Sequence, residues 1–236
     1  MFTKSAQYYD LIYASFKDYP SEAEKIANLI QKLNPNAQTI LDVACGTGEH
    51  AKILSENYSY LVDGIDLDEN LLEIAWQKNP KARFEAADMI DFDLGKKYDI
   101  VMCLFSAIGY VRTLENLRKT LVCFRNHLSA NGLIIVEPWF APDNWKSGQL
   151  HMKTTETDNL KVCRISITDR VGNLSKLRFE YLIGTPMEIQ HETEHHELGL
   201  FTVEEMTQSF QNAGLESDYD STGISGRGLY TANTIV

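Results

Sequence analysis

Apolar and polar positions change period three times along the chain, and each change marks a different kind of element. Tyr9, Tyr13 and Phe16 recur at helical spacing near the start. The pattern predicts a short helix with one aromatic face, which either packs into a core or forms a lid whose phenolic edges line a cleft. Pro20 breaks this segment; Ser21 and Glu24 have the spacing of a capping box, and Ile26, Leu29, Ile30 and Leu33 form one stripe of the helix that follows. From there short apolar runs alternate with helical stripes. Strands are predicted from Thr39, over 60–65, 82–86, 98–104 and 133–136, and helices from Glu49 to about Glu56, over 69–78 and over 114–128. Alternation of this kind predicts a parallel sheet with helices on both faces.

Past Pro142 the period falls to two. Val162, Arg164, Ser166 and Thr168 interleave with Cys163, Ile165 and Ile167, and Leu177, Phe179, Tyr181 and Ile183 repeat the alternation after a Gly172-Asn173 turn. No helix is predicted over about 150–200; the texture is that of a small antiparallel sheet. A helix returns over 202–213, with Thr202 as cap and Glu204 and Glu205 in its first turn. Strands over 215–219 and 229–235 close the chain. The expected architecture is a Rossmann-like α/β core with a seven-stranded, mostly parallel sheet, formed by 1–142 and 201–236. An antiparallel β region, 143–200, is inserted into it.

Composition narrows the function. The 236 residues carry a net charge of −11, which argues against a nucleic-acid surface, since that needs a basic stripe. The apolar run Ile100 to Phe105 is far too short to span a bilayer, and the first ten residues lack the apolar core of a signal peptide. Cys45, Cys103, Cys123 and Cys163 show no CxxC spacing and read as reduced thiols of a cytoplasmic protein.

The chemistry centres on Thr39-Ile-Leu-Asp-Val-Ala-Cys-Gly-Thr-Gly-Glu-His50, a strand, a glycine turn and a helix start in that order. Such a unit brings backbone N–H groups and a helix N-terminus to a nucleotide. Gly46-Thr-Gly48-Glu-His-Ala51 also satisfies the dinucleotide fingerprint, with Asp66 twenty residues beyond Gly46 where a ribose-binding acid belongs. Two features favour a different ligand. Asp42, just before the turn, would repel a pyrophosphate and attract a cation. Asp42, Asp66 and Asp88 also form a series at the ends of successive strands.

On these residues the chain resembles the class I S-adenosylmethionine-dependent methyltransferases. Leu41 to Gly48 matches their first motif, Gly64-Ile-Asp66 their second and Ala86-Ala-Asp-Met89 their third. The resemblance implies that S-adenosylmethionine is held, and S-adenosylhomocysteine released, by Tyr13, Tyr19, Asp42, Ala44, Gly46, Gly48, Asp66, Leu67, Asp88, Met89 and Leu104. Gly46 and Gly48 would approach the methionyl part, Asp66 would accept the ribose hydroxyls, and Asp88 and Met89 would bracket the adenine.

Tyr9-Asp10 with Tyr13, Lys17-Asp-Tyr19, Phe105-Ser106 with Gly109-Tyr110, Glu137-Pro-Trp139 and Ser225-Gly-Arg-Gly-Leu229 extend the likeness further. They resemble the N,N-dimethyltransferases that act on TDP-linked amino sugars of macrolide deoxysugar pathways. Ala107 and Phe140 depart from that pattern. The resemblance implies a nucleotide-linked amino sugar as small-molecule substrate and a homodimer formed through the inserted sheet. An unrelated metabolite N- or O-methyltransferase, or a cofactor-binding protein without turnover, is the alternative.

An amine is already a competent nucleophile, so the protein mainly has to hold nitrogen, methyl and sulfur in line. Tyr110 and Glu137 are the candidate catalytic groups, for orientation, proton acceptance or amine binding. Packing of Tyr110 and solvation of Glu137 are the plain alternatives. Tyr9, Phe105, Ser106, Trp139, Arg164 and Arg227 are candidate substrate contacts. Arg227 between glycines is the natural phosphate partner, or else a surface arginine in a turn, and Arg178 is a weaker candidate. His191-Glu-Thr-Glu-His195 satisfies a zinc-peptidase pattern, but that pattern needs a helix. On a strand the two histidines lie about 13 Å apart, too far for one zinc, so no metal is expected.

Overall fold

A computed structural model describes residues 5–235. Its main sheet runs β1 (Thr39–Val43), β2 (Leu61–Asp66), β3 (Phe84–Ala86), β4 (Tyr98–Cys103), β5 (Leu128–Val136), β10 (Leu215–Asp220) and β11 (Leu229–Thr234). Their spatial order is β10-β11-β5-β4-β1-β2-β3. All neighbours are parallel except the β10–β11 hairpin and its join to β5. The order reverses between β1 and β4, and open sheets bind ligands in the crevice at the carboxyl ends of the strands beside such a switch.

Helices α1 (Tyr9–Ala14), α2 (Tyr19–Leu33), α3 (Glu49–Tyr58), α4 (Glu69–Lys78), α5 (Leu114–Asn126) and α6 (Val203–Asn212) cover the two faces. In the apolar run that ends β4, Ile100 and Met102 join the core under the first four helices, while Val101 and Cys103 join the core under α5 and α6. Period-two geometry thus divides one apolar run between two cores, each buried Ile or Met contributing roughly 1.5–3 kcal/mol.

Several boundaries differ from expectation for local reasons. Helix α2 starts earlier than Ser21: Asp18 is the cap, accepting the Ser21 N–H at 3.0 Å, and Pro20 sits in the first turn where its missing N–H costs nothing. Strand β5 begins at Leu128, before Asn131-Gly132, with a register shift against β4 between Tyr98 and Ile100. The loop over 106–110 is a short 3₁₀ helix, Ala107–Val111. Thr202 and Glu205 form a reciprocal capping box on α6.

The inserted region is a four-stranded antiparallel meander: β6 (Leu150–Thr157), β7 (Leu160–Val171), β8 (Leu174–Gly184) and β9 (Ile189–Gly199). Its alternation has a physical outcome. Val162, Ser166, Phe179, Tyr181, Glu194 and His196 are buried on one face, while Leu150, Met152, Ile165 and Leu182 are exposed on the other. The HExxH sequence lies in β9, on a strand, and His191 is spent on Glu180 at 2.9 Å. Among the described residues no helix is long and apolar enough to cross a membrane.

Candidate active site

The turn after β1 shows what its two glycines do. Gly46 has φ +56°, a side chain added there would meet nothing within 4 Å, and its N–H donates to Asp66 at 2.9 Å. It leaves backbone open toward a cavity. Gly48, at φ +70°, works in the other direction: an added Cβ would press on Ala75 at 3.0 Å. It lets α3 pack on α4 and lies off the lining of the cavity.

Asp42 is 3% exposed, and its Oδ2 has no hydrogen-bond partner. Burial, with help from the Asp66 charge, pushes its carboxyl up to about 8. A buried acceptor without a donor implies a ligand that supplies a donor or a positive charge. Asp66 is half-buried in a shell of N–H donors: Gly46 on one oxygen and Asp68 on the other, each at 2.9 Å. Burial still raises its pKa, and each carboxylate oxygen keeps a second lone pair for a hydroxyl.

A cavity of about 730 Å³ lies between the carboxyl ends of the large sheet and the inner face of the small one. Ala44, Gly46, Asp66, Leu67, Met89 and Leu104 line its floor. Tyr9, Tyr13, Phe105, Tyr110, Trp139, Arg164 and Arg227 line its walls. Tyr19 and Asp42 instead border a smaller adjoining pocket, shared with Tyr9, Ala44 and Gly46. Asp88 is exposed, capping its own turn through the Ile90 N–H at 3.0 Å, and leaves the wall to Ala87 and Met89. Arg178 is also turned away, exposed beside Glu180.

Beyond β4 the backbone is strained. Phe105 and Ser106 are both left-handed, at φ 52° and 60°, a conformation worth roughly 1–3 kcal/mol each against the fold. Glu137 holds it. This residue is 2% exposed; one oxygen accepts the Phe105 N–H at 2.6 Å and the other accepts the Ser225 hydroxyl. Ser106 donates to the Pro138 carbonyl at 2.7 Å and accepts from Arg227 Nη1 at 2.9 Å. Glu137 lies off the lining of the cavity, and its two oxygens rivet three loops together. Ser106 is likewise fully buried and acts through Arg227.

The N-terminal aromatics close over this loop. Tyr13 meets Phe105 edge-on with centroids 5.2 Å apart, and its hydroxyl accepts from Arg164 at 3.2 Å. Lys17 sits 3.9 Å over the Phe105 ring and pairs with Glu22 at 2.5 Å. Asp10 fastens α1 to the glycine turn through the Thr47 hydroxyl at 2.6 Å and Lys78 at 2.7 Å.

Tyr110 faces the cavity, half-buried, with its hydroxyl 2.8 Å from His196 Nδ1. Sequence reasoning missed His196, Lys153, Ser166 and Phe179, all of which line the cavity. Their signal was the two-residue period of β6–β9, which puts 153, 166, 179, 194 and 196 on the inner face. The HExxH pattern drew attention to 191 and 195 instead.

A family profile described as a methyltransferase domain matches residues 40–132. The chain is 37% identical, over 96% of its length and 89% of the relative's, to a dTDP-3-amino-3,6-dideoxy-alpha-D-glucopyranose N,N-dimethyltransferase of Streptomyces fradiae. It is 35% identical, over 95% of each chain, to a dTDP-3-amino-3,4,6-trideoxy-alpha-D-glucopyranose N,N-dimethyltransferase of Streptomyces venezuelae. Among solved structures, Streptomyces venezuelae DesVI superposes with a TM-score of 0.92 at 34% identity, covering 98% of both chains. CalS10, an amino pentose methyltransferase of Micromonospora echinaspora solved with its methyl donor bound, gives 0.86 at 31% identity, covering 96% of both.

The donor set here fits that ligand. The unpartnered Asp42 oxygen suits a cation, the open face of Gly46 admits close approach, and Asp66 retains acceptor capacity beside apolar Leu67 and Met89.

Proposed function

We propose, from the premise that this chain belongs to the S-adenosylmethionine-dependent methyltransferases and within them to the TDP-amino-sugar N,N-dimethyltransferases, that it methylates the amino group of a TDP-linked deoxyamino sugar. One observation carries the reading. A single cavity joins an acid-lined floor (Asp66, with Asp42 just behind) to a cationic wall (Arg164, Arg227 and Lys153), with Tyr110 also on its lining. A positively charged donor suits the first end and a diphosphate the second.

When bound, the donor supplies a methyl group on a positively charged sulfur. Asp66 would accept hydrogen bonds from its ribose, Met89 and Leu67 would flank its base, and Asp42 would favour its charge. Arg227, held by Ser106 and stacked among Phe105, Trp139 and Phe140 at 5.5–5.6 Å, offers a fixed guanidinium to phosphate. Arg164 is steadied by Tyr13 in the same way. Tyr110 orients the amine and takes its proton. The Phe105, Trp139 and Tyr13 rings exclude water from the reacting atoms. The unit formed by 143–200 acts as the acceptor-side roof on a core of 1–142 and 201–236.

The enzyme works in the cytoplasm as a homodimer in this reading. The four free thiols support a reducing compartment. Exposed Leu150, Met152, Ile165, Leu182 and Ile189 on the small sheet support self-association there. Incubation with S-adenosylmethionine and a panel of TDP- and UDP-amino sugars, read by product mass, tests the function. A gain of two methylene units on a TDP-amino sugar is expected, and no gain with any of them, despite donor binding, refutes it.

A further inference from the structure

A buried chain of polar groups leads away from the cavity behind Tyr110. Its hydroxyl is 2.8 Å from His196 Nδ1, and His196 Nε2 is 3.7 Å from Glu194 Oε2. Glu194 in turn accepts the Ser5 amide and hydroxyl, both at 3.0 Å. His196 and Glu194 are 2% and 4% exposed. Three distant stretches meet here: the 3₁₀ turn after β4, the inner face of β9, and the residue ahead of α1.

The chain has a direction. At 3.7 Å the Glu194 carboxylate is beyond hydrogen-bond distance of Nε2, but its negative charge favours the tautomer with the ring proton on that nitrogen. Nδ1 then presents a lone pair, and the Tyr110 O–H donates to it. The remaining lone pairs of Tyr110 are left for the cavity. Burial lowers the His196 pKa against the pull of Glu194, so the ring rests neutral and able to accept. Burial acts to raise the Glu194 carboxyl, but the nearby His196 ring and the two Ser5 hydrogen bonds outweigh it and hold the acid below its usual range. Burial drives the Tyr110 hydroxyl well upward, so a lone phenolate is costly: an oxygen that takes a proton here must pass its own onward.

Resting on the amine-methylation reading above, we propose that His196, backed by Glu194, is the positioning residue through which Tyr110 takes the proton from the acceptor nitrogen, and that this step controls passage from the monomethyl to the dimethyl product. The first transfer leaves a secondary ammonium. Its N–H bond breaks with the electron pair kept by nitrogen, and the proton moves to the Tyr110 oxygen. The Tyr110 proton moves to His196 Nδ1, giving an imidazolium beside the Glu194 carboxylate. Charge is conserved, and the proton returns to solvent through the same groups. A primary amine can enter already neutral from solution. The secondary ammonium forms with its nitrogen already seated against Tyr110, so while it stays bound its proton leaves through the groups that touch it, and the second transfer depends on the chain more than the first.

His196→Asn is the test, because its side-chain oxygen replaces Nδ1 as an acceptor for Tyr110 but cannot take a proton. With a TDP-3-amino-3,6-dideoxyhexose and S-adenosylmethionine, the variant is expected to keep KM for both substrates and to slow the second methylation by about 100-fold. Monomethyl product then accumulates. Tyr110→Phe should likewise accumulate monomethyl product, with a raised sugar KM because the hydroxyl that orients the amine is gone, and the double variant should be no worse in the second methylation than Tyr110→Phe alone, as groups acting in one chain require. His196→Phe, which also frees the Tyr110 hydroxyl, should raise the sugar KM as well. Dimethyl product at the wild-type rate from His196→Asn overturns the proposal. So does a parallel loss of melting temperature, donor affinity and rate, which marks a structural histidine. If His196→Asn fails to fold, Glu194→Gln carries the same test: accumulated monomethyl product supports the proposal, and an unchanged product ratio overturns it. Wild-type protein that methylates no amino sugar fails the parent reading, and this proposal with it.

Discussion

Replacing Asp42 by Asn should stabilise the free protein at alkaline pH and destabilise it at acid pH. In the fold the carboxyl is pushed from its ordinary 3.8 up to about 8, by burial first and then by the Asp66 charge. Between those values the folded chain binds more protons than the unfolded one, so stability falls as pH rises across the window. Each pH unit costs about 1.36 kcal/mol, so by pH 7 the fold has lost about 4 kcal/mol to this one side chain. Below the unfolded pKa the penalty vanishes. Asparagine removes the titration but places an amide where Oδ2 has no partner, a cost of about 1–3 kcal/mol at every pH. The difference between variant and wild type therefore changes sign: a gain of about 1–3 kcal/mol at pH 7–8, and a loss of similar size near pH 4. For a chain of this length, 1 kcal/mol moves the melting temperature by about 2–4 °C. Thermal melts of both proteins at a series of pH values, without donor, read the crossing. A difference of one sign at all pH values refutes the reasoning, since it means that Asp42 is already ionised in the free protein. Added S-adenosylmethionine should then stabilise the wild type more than the variant, because only the carboxylate can answer a positive sulfur.

Other outcomes follow from the same geometry. Arg227→Ala should raise KM for the nucleotide sugar by ten-fold or more while leaving donor affinity intact, because Arg227 joins the acceptor wall and, among the described residues, donates only to Ser106; isothermal titration with each ligand checks this, and equal loss of both makes Arg227 structural. Glu137→Gln should lower stability by about 2–4 kcal/mol, since it weakens two buried charge-assisted hydrogen bonds and releases the left-handed Phe105-Ser106 backbone; denaturant melts measure the loss, and an unchanged midpoint with a large drop in kcat alone would return Glu137 to the catalytic role. Leu182→Glu, on the exposed face of the small sheet, should shift the protein from dimer to monomer in sedimentation runs without altering its melting curve at low concentration; a monomeric wild type removes that interface.

The donor half of the site was legible because it is local. Asp42, Ala44, Gly46 and Asp66 lie within one strand–turn–helix–strand unit, and the short-range rules for glycine turns and strand-end acids put them on the cavity or its annexe. Even there the same rules did not foresee what Gly48 and Asp88 do within the fold. A glycine that admits a neighbouring helix and one that admits a ligand share one sequence signal, and an acid at a strand end can be spent on capping its own turn. Alternation also exposed the small sheet, although β6 and β9 gave weaker patterns than β7 and β8.

The acceptor half is assembled across long separations, and that is where residue-type reasoning failed. Glu137 carries the residue type and strand-end position expected of a substrate ligand, yet its two oxygens are consumed by Phe105 and Ser225. Nothing within several residues of 137 could announce those partners, since one comes from the loop after β4 and the other from the loop before β11. The reverse error hid His196. Read along the chain it is one of several histidines in a polar stretch; only the antiparallel register, which sets Leu177 opposite it, together with the 3₁₀ turn folded against β9, brings it to Tyr110. Both cases have one cause. A strained loop needs a buried charge to hold it, and a buried hydroxyl needs an acceptor behind it, but either need can be met from anywhere in the fold. The acids and histidines that complete this site were therefore identifiable as chemistry from the sequence, and assignable to a task only from the partners that consume them.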